Sequence, residues 1–228
     1  MAQPATAPDA QCAGPDPHTD SPKPALGRPA LAIVAVLGLL AAALAGFFLN
    51  RADAHPGNSS AEAGFARDMS THHAQAVEMA FLIRDRTQDE DLRRMAFDII
   101  TSQQQQIGQM SAWLTLWGLP QTGTDPAMSW MGDMPGMDHG SMSHGEAMAS
   151  MPGIASAEDM AKLTAARGVE AEKLFLQLMI AHHKGGVEMA KAALDRAKEP
   201  AVRNLAQGMV NAQSAEIETM TAMLAQRE

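Results

Sequence analysis

Residues 65–80 read FARDMSTHHAQAVEMA, and residues 175–190 read FLQLMIAHHKGGVEMA. The second stretch follows the first at a constant offset of 110 positions: Phe65, Met69, His72, His73, Val77, Glu78, Met79 and Ala80 return as Phe175, Met179, His182, His183, Val187, Glu188, Met189 and Ala190. The offset persists downstream, where Arg93, Ala96, Gln103, Ile107, Met110 and Leu114 return as Arg203, Ala206, Gln213, Ile217, Met220 and Leu224. A repeat of this kind marks one supersecondary unit used twice, so it decides the architecture before any single residue does.

Within the first copy, Phe65, Met69, His72, Ala76, Met79 and Ile83 recur at helical spacing. This predicts a helix to about Thr87, capped at its start by Asn58, Ser59 or Ser60. A second helix is expected over 89–117, with Gly118-Leu119-Pro120 as its stop and Ala96, Ile99, Gln103, Gln106, Met110, Trp113 and Trp117 as its inner stripe. Ser156-Ala157-Glu158-Asp159 reads as a capping box opening a short helix that ends near Gly168. The second long pair then covers about 169–198 and 200–226, with Pro200 in the first turn of the last helix. No segment alternates as a strand would. The fold class is all-α: two helical hairpins, 50–118 and 156–228, packed as a four-helix bundle with approximate two-fold symmetry.

Between the hairpins, residues 119–155 are rich in Pro, Gly and Ser and read as a linker without regular structure. The linker carries Met128, Met131, Met134, Met137, Met142, Met148 and Met151, with His139 and His144 among them. A linker builds no core, so packing does not account for these thioethers.

Upstream, residues 30–49 (ALAIVAVLGLLAAALAGFFL) are uncharged and long enough to cross a bilayer as a helix. Lys23 and Arg28 precede it and place residues 1–29, a Pro- and Asp-rich disordered tail, in the cytoplasm. The expected location is the bacterial cell membrane, single-pass, with the bundle outside. The alternative is a secreted protein cleaved near Ala54, after the small-x-small run Ala52-Asp53-Ala54. The sole cysteine, Cys12, lies in the tail, so the exported part forms no disulfide. With 17 Lys+Arg against 26 Asp+Glu the net charge is −9, which argues against a nucleic-acid partner.

Residues three and four apart share a helix face, so Met69 lies one turn before His72 and His73, and Met79 lies two turns beyond His72. The same holds for Met179, His182, His183 and Met189. Imidazole suits copper, zinc, iron and nickel, while thioether sulfur selects Cu(I). Core packing by itself does not demand histidine twice at equivalent positions. Glu78 and Glu188 point away from this stripe in a regular helix, suited to orienting a partner helix or forming a salt bridge to it rather than to ligation. Gln103, Gln106, Gln213 and Glu216 form a second repeated polar cluster, suited to hydrogen bonding the far nitrogen of each histidine. Met134, Met137, His139, Met142 and His144 are further candidates for wrapping a soft cation.

The paired M-x-x-H-H-x-x-x-V-E-M-A segments, each followed by Q-x-x-[QE]-I-x-x-M, resemble the bacterial exported proteins of domain of unknown function 305. The resemblance covers roughly residues 58–227 and extends to GLPQTGTDPAMSW at 118–130. It implies a ferritin-like four-helix fold, and some members are regarded as periplasmic copper-binding proteins of copper tolerance. The ligands it implies are Met69, His72, His73 and Met79, then Met179, His182, His183 and Met189. Glu216 departs from the first copy's Gln106, so the two halves are not expected to bind metal equally.

The expected function is sequestration or handling of copper, as Cu(I) or Cu(II), with silver satisfying the same ligands and a copper-delivery protein as partner. Two other readings are a ferritin-like di-iron oxidoreductase and a helical interaction module that binds no metal. The first needs Glu-x-x-His pairs that the long helices lack. Hydrolytic chemistry lacks its motifs, with no G-x-S-x-G and no H-E-x-x-H.

Overall fold

The computed structural model describes residues 27–52, 55–132 and 151–227. The chain divides into two compact units at Ala54 and His55. The first unit contains helix α1, Arg28–Ala52. Its Pro29–Phe47 stretch is long and apolar enough to cross a membrane. Leu31, Ile33, Val34, Leu37, Leu40, Leu44 and Phe47 are exposed along it, so the apolar surface is not confined to a core-facing stripe.

The second unit holds α2 (Ala61–Arg84), α3 (Glu90–Leu116), a single 3-10 turn at Ser129–Met131, α4 (Ala157–Ala165), α5 (Gly168–Arg196) and α6 (Pro200–Ala225). It contains no strand among the described residues. Each start has a local cause. Ser60 accepts from the Ala63 N–H, Asp89 from Asp91 and Leu92, and Ser156 from Asp159. The start of α6 has no side-chain cap of its own. Glu62 serves instead, its Oε1 accepting from the N–H groups of Lys198 (2.6 Å) and Glu199 (3.3 Å). Its repeat equivalent, Glu172, likewise reaches the other hairpin, accepting from Thr87 Oγ1 at 2.5 Å, and also accepts from Arg227 Nε of its own hairpin at 2.8 Å. Each hairpin is thus latched to its twin by an equivalent glutamate.

Helix α2 packs on α3, α5 on α6, and α2 on α5, making the four-helix bundle. The α2–α5 pair is antiparallel. Phe65 and Met69 near the start of α2 share a core with Met189, Ala190 and Ala193 near the end of α5. Val77, Met79, Ala80 and Ile83 share the other core with Ala171, Phe175, Leu176 and Met179. The repeat-equivalent phenylalanines, Phe65 and Phe175, are both fully buried, one in each core. Burying such a ring contributes about 1.5–3 kcal/mol. Between the two cores lies a polar layer, the four histidines.

The inter-repeat segment departs from expectation. Met128, Met131 and Met151 are buried and belong to the first core rather than to a core-free linker. Met151–Ala155 then runs across α2 and α5 as a strap. Gln75 holds it by pairing with both peptide groups of Ala155, donating to the carbonyl at 2.9 Å and accepting from the N–H at 2.7 Å. On α5, a Cβ at Gly185 would lie 1.8 Å from the Pro152 carbonyl oxygen, and one at Gly153 would lie 2.3 Å from that of Ala181. The strap therefore rests against helix backbone. Gly185 occupies the position equivalent to Gln75, so the two copies differ where one grips the strap and the other gives way to it.

Candidate metal centre

His72 and His182 stack across the α2–α5 contact with ring centroids 3.7 Å apart. His73 and His183 flank them, each 6.4 Å from its neighbour with the same 52° interplanar angle, so the repeat symmetry runs through the layer. All four rings are buried. The neighbouring helix supplies an acceptor in each half. His73 Nε2 lies 2.7 Å from Gln106 Oε1, and His183 Nε2 lies 2.7 Å from Glu216 Oε2. His72 Nε2 lies 3.0 Å from the Pro152 carbonyl of the strap. A carbonyl or carboxylate oxygen accepts, so these three nitrogens donate, and on neutral His72 and His73 Nδ1 keeps a lone pair.

One nitrogen on each ring has no partner within the protein. Nδ1 of His72, His73 and His183 and Nε2 of His182 are buried without a hydrogen-bond partner. An orphaned buried polar atom costs on the order of 1–3 kcal/mol. Desolvation lowers His72 to a pKa of about 4, against the partly compensating Pro152 carbonyl, and lowers His73 to about 3. Burial, followed by the proximity of the other rings, holds His182 well below its ordinary value. At neutral pH these three imidazoles are uncharged, the form that ligates metal.

The remaining sequence candidates are placed as follows. Met69, Met79, Met179 and Met189 are all fully buried. They sort by level rather than by helix, Met69 with Met189 on one side of the histidine layer and Met79 with Met179 on the other. Of the polar cluster, Gln106 and Glu216 bond histidines, whereas Gln103 and Gln213 are buried with Oε1 unpartnered and do not bond them. Glu78 and Glu188 are exposed and bond no histidine among the described residues. Met134, Met137, His139, Met142 and His144 lie outside the described residues. Sequence reasoning missed the Pro152 carbonyl, whose one signal was the Gln75/Gly185 break in the repeat. The buried carboxylates Glu62, Asp68 and Glu172 serve the latches and the turn around Met128. No group of three or more His, Cys, Asp or Glu among the described residues is arranged to hold a metal ion.

The family model for Domain of unknown function (DUF305) matches residues 62–224. The chain belongs to this family. A DUF305 protein from Streptomyces coelicolor is similar at 46% identity and a TM-score of 0.66, over 75% of this chain and 96% of that one. A DUF305 fragment from Deinococcus radiodurans is 36% identical with a TM-score of 0.59, over 73% of this chain and 96% of that one. CopM in its Cu(I)-bound form shares the fold at 22% identity and a TM-score of 0.54, over 73% and 96% of the two chains. No curated protein matches the chain.

Proposed function

We propose that this DUF305 protein binds copper outside the cytoplasm, with α1 as its membrane anchor, and sequesters the ion or hands it on. The observation that carries the reading is the set of four buried ring nitrogens with no hydrogen-bond partner, on imidazoles shared by two hairpins. Gln106, Glu216 and the Pro152 carbonyl would orient the rings from behind, as outer hydrogen bonds do in metal sites. Met69 and Met179, one turn before each histidine pair, would complete the coordination and tilt the preference towards Cu(I). CopM, of the same fold, has been crystallised with Cu(I), Cu(II) and silver, which supports the reading.

The test is copper retained by the full chain in detergent, wild type against His182→Leu/His183→Leu, loaded under reducing and oxidising conditions. The expected result is a lower copper stoichiometry, by the ion held at the histidine layer, while the apo variant still melts cooperatively. Unchanged copper stoichiometry would overturn the assignment to this layer.

A further inference from the structure

The two apolar cores are not equivalent. The repeat gives each end of the bundle three methionines: Met69, Met110 and Met189 at one, Met79, Met179 and Met220 at the other. The first end receives four more. Met209 stands where the first repeat has Ile99, and Met128, Met131 and Met151 come from the inter-repeat segment. The other end gains Met95, Met160 and Met223, but these are only partly buried, so the buried additions all fall at the first end.

Met128 is held there against its backbone preference. It is the one non-glycine residue with positive φ among the described residues, at +67°, in the left-handed region that favours glycine or asparagine. Its side chain is nonetheless fully buried. Asp68 fixes the turn, its Oδ2 accepting from the Met128 N–H at 2.7 Å and from Trp130 Nε1 at 2.8 Å. Gly64 makes room for that indole, since a Cβ there would lie 2.5 Å from the ring. Two residues of α2, Gly64 and Asp68, thus support a turn that places this thioether inward. A cleft of about 400 Å³ lies beside it, with Trp130 and Met151 on its wall.

We propose that the added methionines of this chamber, Met128, Met131, Met151 and Met209, form a second metal site, made of thioethers alone and selective for a soft monovalent ion, Cu(I) or Ag(I), reached from the side of that cleft. Thioethers ligate without deprotonation, so burial in an apolar core does not oppose them as it opposes a thiolate or carboxylate. The site goes beyond the histidine layer and does not depend on it.

Silver, which is redox-inert, is the probe. The full chain in detergent is titrated with Ag(I) and followed by native mass spectrometry and by the methyl signals of 13C-methionine. Wild type is compared with Met128→Leu/Met131→Leu/Met151→Leu and with His182→Leu/His183→Leu. The expected result is one fewer tightly bound silver in the methionine variant, with its melting curve preserved because Leu conserves volume. The histidine variant should keep that silver, and the Met128, Met131 and Met151 methyls of wild type should shift on binding. Equal silver in wild type and methionine variant, or unshifted methyls at those three residues, overturns the chamber whatever the histidine layer does. If the methionine variant fails to fold, the wild-type methyl shifts decide alone.

Discussion

Burial keeps His72 and His73 neutral well into the acid range, and this has a thermodynamic consequence. The unfolded chain takes up protons on these rings near pH 6.5, whereas the folded chain resists until pH 4 or below. Between those limits the unfolded state binds more protons, so stability falls as pH falls and is unaffected above the window. The loss attributable to His72 alone should reach on the order of 3 kcal/mol by pH 4. Urea unfolding of the apo protein from pH 7.5 to 4.5 measures it, and a flat profile would contradict the burial. The individual histidines should also respond differently to mutation. His182 Nε2 has no partner, so His182→Leu should change apo stability by less than about 1 kcal/mol. Gln106→Leu strands the His73 N–H instead and should cost about 1–3 kcal/mol. Glu216→Gln preserves a hydrogen-bond acceptor but removes the charge behind His183, and should weaken copper binding in that half about tenfold. Competition with a chromogenic Cu(I) chelator reads that change.

Helix boundaries were largely legible because their causes are local. Ser60, Asp89, Ser156 and Pro200 stop or start helices through their own side chains. The strap was not legible, because Gln75 and Gly185 acquire meaning only when residues about 80 and 30 positions away cross them. Gly185→Ala tests the crossing. Its Cβ would meet the Pro152 carbonyl, push the strap off α5 and take the acceptor from His72, so stability should drop by more than about 2 kcal/mol despite alanine's better helix propensity. Gly108→Ala is the control. Nothing lies within 4 Å of its added Cβ, so it should stabilise α3 by about 0.5–1 kcal/mol. Thermal melts of the two variants should therefore shift in opposite directions.

For the whole molecule, the histidine layer joins both hairpins, so an ion bound there cross-links the bundle. Copper at a hundredfold excess over its dissociation constant should stabilise the fold by about 2.7 kcal/mol, a rise in melting temperature of about 5–10 °C. Differential scanning calorimetry with and without Cu(I) checks this, and a melting curve indifferent to copper would favour an interaction module. The sequence alone determined the repeat, the helices, the bundle they must form to bury two apolar stripes, and which side chains could ligate a metal. Those features depend on spacing along a single helix, and the 110-residue offset supplies the symmetry. Only the tertiary structure decided which of those side chains meet. The antiparallel crossing of α2 and α5 sets His72 on His182, pairs Met69 with Met189 rather than with Met79, and gathers Met128, Met131 and Met151 into one core alone. Register between helices is fixed by interlocking side chains far apart in the chain, and no period along one helix encodes it.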